Sequence, residues 1–402
     1  MSNTLEVSQD FLLDFDSLPI VGREQEIEQL QSALHSTCKE QRSGIALVDG
    51  ASGTGKSHLV RTALQNQPNS HWCSGKFEQH RRSDPYSAIV DAFSELCDQF
   101  MENEPIQQDL KHNGMTVLPD MIPGLAKLMK WSGFDRSSSS LGQNHEWNST
   151  RIKKELKQFL QVVCYPSKPC IVFIDDLQWA DSPSLELLQY IVSGDPIQGL
   201  FLCGAFRNDE IDHTCTLITE LQQMNNVVHI HLQNLKLEQI NMLIAVLLNR
   251  TEPTETMELS EIVTKRTEGN AFYVIQFLRS LQDEGYLQFS PMTLRFEWCL
   301  DQIQSETSVS NNLISLMQKK MERLPTNTRE ILKVAACLGS RFDLQIVEEA
   351  FDNCSEIQAQ IQVAVDEGLV DKRRRSSRFK FAHDQIRKYI KPSDSFDFAR
   401  HE

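Results

Sequence analysis

The hydrophobic positions of the first 230 or so residues fall into short dense runs separated by amphipathic stretches. Ile45–Val48, Ile171–Ile174 and Leu200–Phe206 are apolar on nearly every residue, too continuous for strands with one wet face. The segment HWCSGKFEQ reads as another buried strand. Val227–Leu232 alternates instead, with Val228, Ile230 and Leu232 on one side, and is expected to close the sheet. Between these runs, Leu59, Val60, Ala63 and Leu64 recur at helical spacing, as do Ile152, Leu156, Phe159, Leu160 and Val163 across Arg151–Cys164. Strands alternating with helices predict an α/β fold with a parallel sheet in three layers.

Beyond residue 232 the pattern turns helical. Leu237–Leu248 and Asn270–Leu281, the second with Val274, Phe277, Leu278 and Leu281 on one stripe, predict a helical lid spanning 233–307. Gly285–Trp298 reads as a hairpin inside it. From Ser308, NLISLMQKKMERL, TREILKVAACLG and SEIQAQIQVAVDEGL predict three helices. A basic hairpin with alternating Phe379 and Phe381 follows, and together they describe a winged helix over 308–392. Residues 18–232 then form the core, with tails at 1–17 and 393–402. Asn103–Asp135 mixes prolines, glycines and apolar residues without a readable period, and FDRSSSSLGQNHEWN is expected to be a disordered surface insertion. The ending KPSDSFDFARHE suggests a fragment or a shortened relative.

A chain of 402 residues, 40% of them hydrophobic, can bury an ample core in two or three units. No run approaches the roughly 18 apolar residues of a membrane span, and the acidic opening lacks the features of a secretory signal, so a cytoplasmic protein is expected. The 10 cysteines include no CxxC pair and read as reduced core thiols. His229 and His231 share a strand face, which suits a metal only if a third ligand arrives from elsewhere. A net charge of −15 repels phosphate backbones on average, although a local basic patch can override it.

The chemistry enters with Gly50-Ala51-Ser52-Gly53-Thr54-Gly55-Lys56-Ser57, which matches G-x-x-x-x-G-K-[ST] between a strand and a helix. Its glycines let backbone N–H groups curl around a β-phosphate, and the helix starting near Lys56 and continuing through His58 turns its positive end to the same oxygens. Lys56 is placed to bridge β- and γ-phosphates, and Ser57 to ligate Mg²⁺. Asp175 and Asp176 follow the apolar run Ile171–Ile174 at its carboxyl end. Successive strand side chains face opposite ways, which assigns Asp175 to the magnesium and Asp176 to the attacking water. Ser182 reads as an N-cap with Pro183 in the first turn. Arg207, ending the run Leu200–Phe206, can point at a γ-phosphate and report its presence.

These residues carry a resemblance. LPIVGREQEIEQL, the loop itself, GKFEQ…PYSAI, VFIDDLQWADSPSLELL, GAFRNDE and TEGNAFYV stand in the order seen in AAA-type ATPase domains of signal-transduction proteins. This is the STAND class of P-loop ATPases, also described as origin-recognition-like AAA domains, and the match covers roughly Leu18–Ile390. The resemblance implies an AAA-like core whose Val21, Gly22 and Arg23 lie by the adenine. Asp175 and Asp176 become the acidic (Walker B) pair and Arg207 the sensor arginine. The lid of that class offers Gly-Asn-Pro to the nucleotide. Here the turn is Gly269-Asn270-Ala271, which lacks the ring that would rest on the base. FAHDQIR is similar to the Met-His-Asp turn of related switches, which would set His383 on bound diphosphate. Asp176 is one methylene shorter than the glutamate of motor enzymes, which implies slow hydrolysis.

The resulting expectation is an ATP- and Mg²⁺-dependent switch, closed with ADP and open with ATP, acting on protein partners or effector domains and able to form a nucleotide-dependent oligomer. Two alternatives stay open. One is an origin-recognition-type ATPase that uses the winged helix on DNA, although Glu356, Asp366 and Glu367 give the groove-entering helix the wrong sign. Lys372–Arg375 and Arg378 then read as a wing tip or partner contact. The other is a nucleotide-bound scaffold without useful turnover.

Overall fold

The computed structural model describes residues 13–15, 18–40, 42–78, 81, 84–130, 145–208, 210, 216–223, 227–306, 321–322, 324–339, 341–351, 354–372, 378–381, 386–387 and 390. The chain divides into two units. One comprises Asp16–Leu243 with Asn270–Phe272, the other Met1–Phe15, Ile244–Gly269 and Tyr273–Glu402.

In the first unit, β1 (Gly44–Asp49), β2 (His71–Lys76), β3 (Cys170–Asp175), β4 (Leu200–Phe206) and β5 (Val227–His231) form one sheet in the order β2-β3-β4-β1-β5. Every neighbouring pair is parallel. Helices α1 (Glu24–Glu40) and α2 (Lys56–Leu64) cover one face. The other carries α3 (Ser87–Asp98), α4 (Glu104–His112), α5 (Leu118–Met121), α6 (Pro123–Met129), α7 (His145–Val163), α8 (Ser182–Ser193) and α9 (Thr216–Gln223). Alternation along β3 shows the three layers directly. Ile171 and Phe173 pack with Leu30, Leu59 and Leu64, whereas Val172 and Ile174 pack with Ile89, Phe93 and Phe159. With both faces covered, every residue of β2, β3 and β4 is buried, which is why β3 and β4 read as continuous apolar runs.

Phe159 is 0% exposed and meets Phe93 edge to face with centroids 6.0 Å apart. Phe159→Ala removes this contact and leaves a cavity, so a loss of about 3–5 kcal/mol in urea unfolding is expected.

Several sequence expectations need correction. The described part of the unreadable stretch, Asn103 to Lys130, is mostly helical and central: Leu110, Leu118, Ile122 and Leu125 are all 0% exposed and sit in the same core as Phe159, whereas residues 131–135 lie outside the described residues. Helix α7 begins at His145, so the last residues of the expected disordered insertion are helical. Residues 134–144 of that insertion lie outside the described residues. The N-cap of α8 is Asp181, not Ser182; its carboxylate accepts from Ser184 N at 2.8 Å. A carboxylate reaches the third helical amide and suits the positive helix end, and Ser182 and Pro183 fill the first two helical positions, where no N–H is required. Cys73, Cys97, Cys164, Cys170 and Cys203 are buried, but Cys299 and Cys337 are exposed and are not core thiols. Burial pushes the Cys73, Cys97, Cys164 and Cys203 thiols up, keeping them protonated.

Beyond β5 the chain runs through α10 (Leu237–Leu247), α11 (Met257–Thr267), which the sequence reading missed, and α12 (Ala271–Asp283). The hairpin β6 (Leu287–Ser290) and β7 (Arg295–Trp298) follows, then α13 (Leu300–Glu306). The carboxyl-terminal part holds α14 (Thr326–Leu338), β8 (Arg341–Asp343), α15 (Leu344–Glu349), α16 (Cys354–Asp366), β9 (Val370–Lys372) and β10 (Arg378–Phe381). Its sheet runs β8-β10-β9, antiparallel throughout, with Phe342 stacked on Phe379 at 5.9 Å. Strand β8 and helix α15 stand where the sequence suggested only a connection. Most of the expected helix at 312–324 and residues 373–377, which include the basic Arg373–Arg375, lie outside the described residues. Among the described residues, no helix is long and apolar enough to cross a membrane.

Candidate functional site

The site is built at the carboxyl ends of β1, β3 and β4, where an open parallel sheet leaves its crevice. Strand β1 ends at Asp49 and α2 starts at Lys56, so residues 50–55 make the whole connection. Gly50 has φ +151°, and a Cβ there would come within 2.4 Å of the Leu232 carbonyl oxygen, so this corner admits no side chain. Lys56 is 7% exposed and folds back over the loop, its Nζ donating to Gly50 O at 2.7 Å and Ala51 O at 2.8 Å. Thr54 Oγ1 also donates to Ala51 O, at 2.9 Å.

Three features fit this loop to an anion. The Ser52 hydroxyl oxygen is buried and has no hydrogen-bond partner among the described residues, and nothing lies within 4 Å of the position a Gly55 Cβ would take. Helix α2 carries no acidic residue in its first turn, so its positive end is uncompensated. Ser57 Oγ donates to Asp175 Oδ2 at 2.7 Å, joining the two residues assigned to magnesium. Ligands about 2.0–2.1 Å from an octahedral magnesium ion are roughly 2.9 Å apart at adjacent corners, so this oxygen pair is compatible with that ion. His58 is exposed on α2.

Asp176 does not continue the strand. At φ 56° and ψ 48° it turns out of β3 in left-handed backbone, so its direction is set by that turn and not by strand alternation. The carboxylate is buried at 4% exposure. It pairs with Lys76 Nζ at 2.9 Å, lies 3.5 Å from Arg207 Nε and accepts from Gln178 Nε2 at 2.9 Å. Arg207 is itself 3% exposed, bonded to Glu210 at 2.9 Å, with its guanidinium 4.9 Å from the centroid of Trp179. The sensor candidate is therefore held inside an ionic and aromatic cluster next to the acids.

The turn Val21–Gly22–Arg23 packs on the residues just after β5. Arg23 donates to the Gln233 carbonyl, and the Gly22 carbonyl accepts from Gln239 Nε2 at 2.6 Å. His229 and His231 both meet one carboxylate: His229 Nε2 is 2.8 Å from Asp49 Oδ1 and His231 Nδ1 is 2.7 Å from Oδ2. The expected diphosphate contact of His383 lies outside the described residues.

Residues 19–202 match the family model described as AAA ATPase domain. This segment is an AAA ATPase domain. Most of the chain is similar to parts of larger proteins. A hybrid signal transduction histidine kinase G of Dictyostelium discoideum is 24% identical over 420 residues, covering 85% of this chain and 12% of the kinase. The peroxide stress-activated histidine kinase mak3 of Schizosaccharomyces pombe is 23% identical over 403 residues, covering 86% of this chain and 17% of that protein. This chain thus spans less than a fifth of either relative. Among solved structures, a signal transduction ATPase with numerous domains and a tetratricopeptide repeat sensor, from Pyrococcus horikoshii, superposes with a TM-score of 0.50 at 14% identity. It covers 94% of this chain and 43% of that one, a likeness of fold.

Within the AAA ATPase domain, sequence reasoning missed Lys76, Gln178 and Trp179. Lys76 ends β2 in register with Asp175, and its partner is 100 residues away in sequence, so no local spacing signals the pair. Gln178 accepts from Arg207 N at 3.0 Å while donating to Asp176, which ties the ends of β3 and β4 together.

Proposed function

We propose that the chain is an ATP-binding, slowly hydrolysing AAA/STAND-type module acting as a nucleotide-dependent switch in signal transduction, closed with ADP and open with ATP. The observation that carries it is the juxtaposition of the phosphate loop with Ser57–Asp175 on one side and the buried Asp176–Lys76–Arg207 cluster on the other. Lys56 and the amides of residues 51–57 bind the phosphates; Ser57 and Asp175 hold Mg²⁺, which when bound screens the phosphate charge. Val21, Gly22 and Arg23 flank the adenine. Asp176 orients the attacking water. Both its oxygens already face cations, which weakens it as a proton acceptor and supports slow turnover.

Arg207 reads the γ-phosphate. Its acidic partners, Asp176 and Glu210, carry the same sign as that phosphate, so ATP competes with them for the guanidinium and ADP does not. Only such a differential contact can bias two states. Residues 18–232 are the ATPase core and 233–307 the lid. The helix–strand–helix–helix–hairpin order of 326–381 supports a winged helix within 308–392. The names of the two kinase relatives favour signalling protein partners over DNA.

The test combines phosphate release with mass in solution. Turnover slower than about one per second is expected, together with different hydrodynamic size or mass with ADP and with a non-hydrolysable ATP analogue. Identical behaviour in both nucleotides would leave a scaffold, and steeply salt-dependent retardation of duplex DNA would favour the origin-recognition alternative.

A further inference from the structure

The carbonyls of residues 50–53 in the phosphate loop all accept hydrogen bonds, and two of the four are met by donors from far along the chain. Lys56 Nζ takes the Gly50 and Ala51 oxygens. The next two are taken by residues of the Gly269-Asn270-Ala271 turn and the start of α12: Asn270 Nδ2 donates to Ser52 O at 2.8 Å, and Phe272 N donates to Gly53 O at 3.0 Å. Phe272 can donate because it lies in the first turn of its helix, where backbone N–H groups have no partner within the helix. Asn270 is 7% exposed, and residues 270–272 belong to the same compact unit as the loop, more than 200 residues earlier in the chain. The fit is close. Gly53 has φ +83°, and a Cβ on it would lie 2.5 Å from Asn270 Oδ1.

Peptide planarity converts this into chemistry. Across a trans peptide the C=O of one residue and the N–H of the next point in opposite directions. Each donor that fixes a carbonyl of residues 50–53 therefore also fixes the direction of the next amide, among residues 51–54, opposite to it. We propose that Asn270 is a positioning residue for polyphosphate binding. Its side-chain amide anchors the Ser52 carbonyl and so aims the Gly53 N–H at the phosphates, and the turn acts on the loop, not on the base. This rests on the reading of residues 50–57 as a nucleotide phosphate site. It also accounts for a turn without proline, since no contact with the base is needed from Ala271.

The test uses the full chain, with ATP and with inorganic tripolyphosphate, which has phosphates but no base. Asn270→Ala removes the donor. Asn270→Asp keeps the shape but sets a carboxylate oxygen against the Ser52 carbonyl. Both variants are expected to bind ATP and tripolyphosphate more weakly by the same factor, about five- to tenfold for the alanine and more for the aspartate. Should the alanine variant not fold, the isosteric aspartate carries the same comparison. Weaker ATP binding with unchanged tripolyphosphate binding would mean that Asn270 recognises the base and would overturn the proposal, as would unchanged affinity for both. If the unaltered protein binds neither, the phosphate-loop reading itself falls, and this assignment with it.

Discussion

Lys56→Ala is expected to abolish ATP binding, with calorimetric titration of Mg²⁺-ATP showing at least a hundredfold loss. The side chain has two functions whose costs add. Its Nζ holds the Gly50 and Ala51 carbonyls at 2.7 and 2.8 Å, fixing the first half of the loop, and on the proposed reading it also brings a positive charge to the terminal phosphates. Charge-assisted bonds of this kind are worth about 1.5–3 kcal/mol each, so losing two passes the hundredfold mark. Arginine is not a safe substitute, because its planar fork cannot reach both carbonyls as a compact ammonium does. Micromolar binding retained by the alanine variant would place the nucleotide elsewhere.

The second large effect concerns stability. Lys76→Met removes the cation 2.9 Å from Asp176 while both side chains are nearly fully buried, at 8% and 5% exposure. A buried carboxylate stripped of one partner costs about 3–5 kcal/mol, and Arg207 at 3.5 Å and Gln178 recover only part of it. Denaturant unfolding should show the single variant weakened by most, but not all, of that amount. The pair Lys76→Met with Asp176→Asn should be appreciably more stable than the sum of the two single changes, since a neutral amide needs no counter-charge. Strict additivity would show that the two groups do not depend on each other.

What could be read from the sequence, and what could not, follows from how far apart the partners lie. The phosphate loop and the acidic strand end were legible because each is local: a run of glycines between strand and helix, or two aspartates closing an apolar run. The continuous apolar strands announced a sheet covered on both faces. Helices α4 to α6 escaped notice because Gly114, Pro119, Pro123 and Gly124 interrupt the period, although Asn103 followed by Glu104 and Pro105 is a readable helix start, and Asn103 Oδ1 does accept from Ile106 N at 3.2 Å. Lys76 had no such local sign, and the turn at Asn270 was legible as a motif but its contact with the loop was not. Each acts on a group more than 90 residues away, and only strand register or the return of the chain to the loop brings them into place.

The strand order has a consequence for synthesis. Strand β1, which leads into the phosphate loop, has only β4 and β5 as neighbours, and its first ladder partner for Gly44 is Phe201. At about 5–20 residues per second, a ribosome needs roughly 8–30 s after making β1 to deliver the segment that flanks it. During that interval an apolar ribbon with two open edges waits in the nascent chain, which makes this part of the protein a natural client for a chaperone and its phosphate loop among the last pieces to take shape.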